Sequence, residues 1–186
     1  MININFVELE DRHLPLLYEW RTSERVSKFQ LSKMSGSFEE HIAWFKRVSL
    51  DPASEYWIIE YADRPIGLFN LAGMDQISKK LTAGFYIGAF EYLSIGALIP
   101  PFFYNYIFFD LKFNKIWGEV FWDNINVRKI HQFHGFREVG VFRDHVLKDD
   151  KFHNIVLIEL LSDSWLSLKK YHKYRSNFLK VKNVKY

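Results

Sequence analysis

Residues 56–88 hold three strand-like stretches in a row, YWIIEYA, IGLFNLAG and LTAGFYIG, separated only by short polar turns. Runs rich in β-branched and aromatic residues and bounded by turn formers read as strands, and Asp63-Arg64-Pro65 reads as the turn of an antiparallel hairpin between the first two. The next strand-like stretch, KIWGEVFW (115–122), follows only after PPFFYNYIFFDL (100–111). That segment reads as a buried helix, because its two leading prolines fit only in a first helical turn. A helical crossover between two strands that neighbour each other in one sheet makes them parallel. Strands 81–88 and 115–122 are therefore expected to be the parallel pair of an otherwise antiparallel sheet.

The flanks extend this frame. Residues 2–9 read as a first strand. Asp11 can cap a helix through Leu14, Leu17 and Trp20, and a second helical piece covers Ser23–Phe29. Ser37-Phe-Glu-Glu40 is a capping box that opens FEEHIAWFKRVSLD, in which Ile42, Phe45 and Val48 recur at helical spacing. The stretch NINVRKIHQFHGFREVG (124–140) reads as a short helix with Asn124 or Asn126 as N-cap and Gly135 as its exit. FREVGVFRDHVL and FHNIVLIELL close the chain as an antiparallel pair. The order β-α-α-β-β-β-α-β-α-β-β describes a mixed α+β sheet with helices on both faces.

Bulk properties remove several function classes. With 186 residues and no internal repeat or linker, one domain accounts for the chain, and the absence of cysteine excludes thiol catalysis, zinc–thiolate sites and disulfides. The early acidic residues of MININFVELEDRHL do not match a signal peptide, and no apolar run reaches bilayer length. A soluble, cytoplasmic protein with no membrane partner is the expectation. A net charge of +3 is too small to argue for nucleic acid. The histidines show no metal-ligand spacing, so no metal is expected. The basic KKYHKYRSNFLKVKNVKY at the end reads as a solvated or frayed tail. A homodimer stays open.

In order along the chain, WRTSERV, EEHIAWF, the PIG that opens the third strand, VFWDNINVRKIHQFHGFREVG and DKFHNIVLIELL resemble the GNAT acetyltransferase superfamily over roughly residues 2–161. Within it the chain is similar to the RimJ/RimL-type branch and to the amino-sugar N-acetyltransferases of pseudaminic-acid biosynthesis. The pairing of WR with EEH…WF favours the latter. The resemblance implies a GNAT domain over 1–165, with a seven-stranded, mostly antiparallel sheet whose parallel pair splays into a V-shaped cleft, followed by the basic tail 166–186. It also implies acetyl transfer from acetyl-CoA to a small-molecule primary amine, such as that of a nucleotide-linked amino sugar. A ribosomal-protein N-terminus and a non-catalytic ligand-binding domain are the alternatives.

Site residues follow from that resemblance. The cofactor loop aligns with Glu91-Tyr-Leu-Ser-Ile-Gly96 and Ala97, so Ser94, Ile95, Gly96 and Ala97 would hold the pyrophosphate. Glu91 stands where the family offers a cation or an amide, and repulsion between unit charges amounts to about 1 kcal/mol at 4 Å in water. A backbone N–H near Tyr86 and Ile87 would polarise the thioester carbonyl. His131 lies seven residues beyond Asn124 on the same helical face, where the family commonly has a Tyr acid. His131 would protonate the departing thiolate or merely pack against Ile130 and Phe133. Asn124 would bond the pantetheine arm, cap the helix, or do both. The family's usual carboxylate base aligns with Ala83, which leaves Glu119, flanked on its face by Trp117 and Phe121, as base or as an ion-pair partner. Trp20 would wall the acceptor side, and Arg21 would pair a substrate phosphate or Glu24. Tyr56 and Trp57 read as core.

Overall fold

A computed structural model of the protein describes residues 3–31 and 36–180. The strands are β1 (Ile4–Glu8), β2 (Glu55–Tyr61), β3 (Arg64–Asp75), β4 (Lys80–Ile87), β5 (Lys115–Phe121), β6 (Arg137–Lys148), β7 (Lys151–Leu161) and β8 (Asn177–Leu179). They form one mixed sheet in the order β6-β7-β5-β4-β3-β2-β1-β8. The helices are α1 (Leu14–Thr22), α2 (Glu24–Ser27), α3 (Phe38–Ser49), α4 (Pro100–Asn105), α5 (Ile125–Phe133) and α6 (Ser162–Ser167).

Strand alternation sorts the core onto two faces. Trp57, Ile59, Phe69, Leu71 and Leu81 turn to one face and pack with Phe102 and Phe103 of α4, where Phe69 and Phe103 stack at 4.4 Å. Ile58 and Leu68 turn to the other and meet Leu17 and Trp20 of α1 with Trp44 and Phe45 of α3. Ser37 caps α3 as expected, its Oγ accepting the Glu40 N–H at 3.4 Å. Pro100 and Pro101 occupy the first turn of α4, but the helix expected over 100–111 keeps α geometry only to Asn105 and widens over Tyr106–Asp110. The β2–β3 turn is Ala62–Asp63, both with positive φ, so Arg64 and Pro65 belong to the strand rather than to the turn.

The end of the chain departs from expectation. Residues 166–180 are not a solvated tail: Tyr171 is buried, stacked on Trp165 at 5.3 Å, and β8 pairs in parallel with β1 as an eighth strand where seven were expected. Asn105, wholly buried on α4, organises this docking. Its amide donates to the carbonyls of Tyr171 (2.9 Å) and Tyr174 (2.6 Å) and accepts the Trp165 indole N–H at 2.9 Å. Phe178 then stacks on Tyr106 at 3.6 Å. Residues 181–186 lie outside the described part. No single helix among the described residues is long and apolar enough to cross a membrane.

Candidate active site

β4 and β5 run parallel but pair only over Lys80–Lys115, Leu81–Ile116 and Thr82–Trp117. Beyond Thr82 they separate, and the gap between them is a cleft of about 670 Å³. The backbone along this gap follows by alternation. The Gly88 N–H donates across to Ile66 of β3, so the N–H groups of Ile87 and Phe85 turn the other way, toward the gap. Of the two residues singled out by sequence, Ile87 offers the backbone donor and Tyr86 offers its side chain.

Arg25 fixes the end of β4, donating to the carbonyls of Ile87 (2.8 Å) and Gly88 (2.5 Å). Gly88 is required for the same junction, because a Cβ there would sit 2.0 Å from the Trp20 ring. Trp20 is thus a packing residue beneath the strand, not the expected wall of the acceptor side, and it does not line the cleft. Trp44 and Tyr56 line the cleft on that side. Trp57 is core as expected, whereas Tyr56 is half-buried, packing against the α1–α3 cluster and also lining the cleft.

The cleft opens on both faces of the sheet. On the α4 face it is lined by Ser94, Gly96 and Ala97 and by Asn124, Val127, Ile130 and His131 along α5. Phe90–Leu98 is a run of tight helical turns rather than an open loop. Ile95, expected to bind the cofactor, packs against the core and does not line the cleft. Glu91 is exposed and also lies outside the lining, so its charge does not face the cleft. Glu91→Gln is therefore expected to leave acetyl-CoA affinity within about twofold by calorimetry, since an exposed charge in water is well screened. Asn124 accepts the Val127 N–H at 3.4 Å and lines the cleft as well, so capping and exposure to a ligand coexist.

His131 is half-buried on the cleft side of α5. Its Nδ1 lies 3.4 Å from the Tyr104 hydroxyl, and its ring is 4.7 Å from that of Phe136. Burial first, and then the nearby His134, lower its pKa to about 4. The ring is accordingly neutral at pH 7. A proton that it delivers must therefore first be taken up at the site.

The opposite, α1–α3 face holds Arg21, Trp44, Tyr56, Tyr86, Asn70 and Glu119. The Arg21 guanidinium lies 5.4 Å from the Trp44 ring centre. The Tyr86 hydroxyl is buried without a hydrogen-bond partner among the described residues, and its pKa is raised by burial, with Arg21 opposing. Asn70 crosses β4 at Gly84, where a Cβ would come within 2.9 Å of its Oδ1. Glu119 is the single carboxylate among the described lining residues. Arg25, Trp44, Asn70 and the Tyr86 hydroxyl escaped the sequence reading. Usable signals existed for Arg25, which follows Arg21 by four residues in WRTSERV, and for Trp44, which stands in EEHIAWF.

The residues at the cleft suit a coenzyme A thioester. A Cβ on Gly96 would meet only Ile87 Cγ1, at 3.4 Å, so the protein's own packing does not demand glycine there, and Gly96 lines the cleft. The turn at Ser94–Ala97 and the unpaired N–H groups of β4 supply small surfaces and donors. No group of three His, Asp or Glu among the described residues could hold a metal.

A splayed parallel pair with small residues at its mouth defines an acyl-CoA-dependent N-acetyltransferase. Residues 10–143 match the acetyltransferase (GNAT) domain family, and the chain belongs to it. Acetyl-CoA is the acyl donor. The acetyltransferase PseH of Campylobacter jejuni (strain 81-176) is 26% identical over 132 residues, covering 71% of this chain and 82% of PseH. PseH of a second C. jejuni strain is 25% identical over the same length. Among solved structures, spermidine N-acetyltransferase from Vibrio cholerae in complex with CoA and spermine superposes with a TM-score of 0.82 at 19% identity, covering 88% of this chain and 98% of that one. A dodecameric form of the V. cholerae enzyme gives 0.76 at 18% identity, over 89% and 98%. At such identities the likeness is one of fold.

Proposed function

We propose that this enzyme acetylates the primary amine of a nucleotide-linked amino sugar in the cytoplasm, where acetyl-CoA is available. The carrying observation is the character of the acceptor side: Arg21 over Trp44, beside Tyr56 and Tyr86, with Glu119 the single carboxylate among the described lining residues. A polyamine brings several positive charges and needs acidic walls. A sugar nucleotide brings a diphosphate for a planar guanidinium and ring faces for aromatic walls. The similarity to PseH supports the same reading.

Acetyl-CoA supplies an activated thioester. Ser94, Gly96 and Ala97 offer the pyrophosphate small residues and backbone donors, Asn124 bonds the pantetheine arm, and the Ile87 N–H donates to the thioester oxygen. Glu119 takes one proton from the substrate ammonium and releases it to water, leaving a nucleophilic amine. In the tautomer whose Nδ1–H donates to Tyr104, His131 keeps a lone pair on Nε2. That neutral ring accepts the second amine proton as the N–C bond forms and passes it to sulfur as the C–S bond breaks.

The test is thiol release from acetyl-CoA with UDP-glucosamine, spermidine and a peptide with a free N-terminus as competing acceptors. Turnover with UDP-glucosamine is expected to exceed that with the other two. A preference for spermidine would reject the amino-sugar assignment, and a preference for the peptide would move the enzyme to protein N-termini.

A further inference from the structure

The tip of the β6–β7 hairpin reaches back across the sheet to one wall of the cleft. Lys148 is the last paired residue of β6, held there by a turn at Asp149–Asp150 with φ of +49° and +58°, the left-handed pair that a tight two-residue hairpin requires. Further back the strand is bulged. Phe142 pairs with Ile155 and Val146 with His153, so residues 143–145 oppose Asn154 alone, and its Oδ1 accepts the Asp144 N–H at 2.8 Å. Extra residues in one strand bend it. Here the bend delivers Lys148 to the end of α2.

There its ammonium donates to three backbone carbonyls: Ser27 at 2.7 Å, Lys28 at 3.0 Å and Gln30 at 2.9 Å. Three donors meet three acceptors at a helix end, where carbonyls carry partial negative charge; the Ser27 carbonyl also accepts the Gln30 N–H at 3.2 Å. The same ammonium lies 5.5 Å from the Phe121 ring centre, and Phe121 meets Phe29 at 6.4 Å. Phe29, Gln30 and Leu31 line the cleft beside Phe121 and Glu119. Phe29 and Leu31 remain 37% and 39% exposed, so burial alone does not anchor this wall. Lys148 does.

We propose that Lys148 is a positioning residue for the amine acceptor: by tying the carbonyls of residues 27–30 to the hairpin, it sets the wall formed by residues 29–31 and thereby acceptor fit. The donor side, on the other face of the sheet, is left unchanged. The proposal rests on the acetyl-transfer reading of the cleft, not on which amine is used.

The test uses the full chain with Lys148→Met and Lys148→Arg, acetyl-CoA, and the panel of UDP-glucosamine, spermidine and peptide. For whichever amine turns over, Lys148→Met should raise its KM by roughly tenfold or more, leave the KM for acetyl-CoA within about twofold, and be largely rescued in Lys148→Arg. Amide exchange over residues 27–31 should quicken in Lys148→Met while β3 stays protected. An unchanged amine KM, or equal rises in both KM values, would overturn the proposal, as would unchanged exchange over residues 27–31. If Lys148→Met does not fold, exchange in the unaltered protein decides: the accepted amine should protect residues 27–31 and acetyl-CoA alone should not, and the absence of that difference rejects the role. An inert UDP-glucosamine alongside an active spermidine rejects only the amino-sugar assignment, and the Lys148 comparison is then read with spermidine.

Discussion

His131→Ala is expected to lower turnover by roughly two to four orders of magnitude, the range for loss of a proton-transferring side chain, with acetyl-CoA affinity little changed. The ring lies on the cleft side of α5 with Nδ1 near Tyr104, and a pKa lowered to about 4 keeps it unprotonated between turnovers. A group that works by accepting and releasing a proton during bond exchange contributes in the transition state, so the loss should fall on kcat rather than on donor binding. His131→Tyr should recover part of the loss, because a phenol can also hand a proton to sulfur. Near-normal turnover in His131→Ala, together with an early melting transition, would identify a histidine that packs against Phe136.

Acidification should destabilise the fold strongly, and before the carboxylates titrate. Burial lowers His134 to about 4, with the Lys170 charge adding to the effect and a hydrogen bond from Nδ1 to the Ile130 carbonyl opposing it. His131 is lowered to about the same value. Both sit below the ordinary 6.5, so between pH 6.5 and 4 the unfolded chain binds more protons than the folded one. Stability is then complete above 6.5 and falls as pH drops toward 4. His13, lowered by burial and by Arg12, and His41, lowered by burial and by Arg21, act in the same direction. A tenfold difference in proton affinity between the folded and unfolded chain is worth about 1.4 kcal/mol, which puts the loss on the order of a few kcal/mol. Glu159 is held low chiefly by Lys115 and also by Arg137, so its contribution fades only at lower pH. Urea titrations at pH 7 and pH 5 measure the difference, and His134→Gln should shrink it. Equal midpoints at the two pH values would contradict the assignment.

What could be read from the sequence was whatever local chemistry decides. Strand alternation, the prolines of α4, the Ser37 cap and the helical crossover are local signals, and each led to an element or a strand direction that the structure contains. The local failures concern ends of elements, such as the β2–β3 turn and the last turn of α4, and the failures at the site are long-range. Trp20 and Trp44 are equivalent on paper, and only the close approach of Trp20 to Gly88 consigns it to packing. Tyr56 looks like core beside Trp57 because a strand carries no label for which face opens into a cleft. The basic end looked solvated because its partner, Asn105, is one polar residue inside an aromatic helix, about 70 residues away in sequence. Lys148 sits in a charged hairpin tip that reads as surface.

Three residue pairs join β4 to β5, and this makes the sheet two blades on a short hinge. One blade carries β1 to β4 with β8, the other β5 to β7. Lys148 ties the second blade to the segment that follows α2, packed on the first. Behind the gap the two blades share one continuous core, in which Phe102 and Phe103 pack with Leu81, Ile116, Val120 and Val156. A single ammonium on three carbonyls makes that tie on the acceptor face alone, and the donor face keeps its own packing.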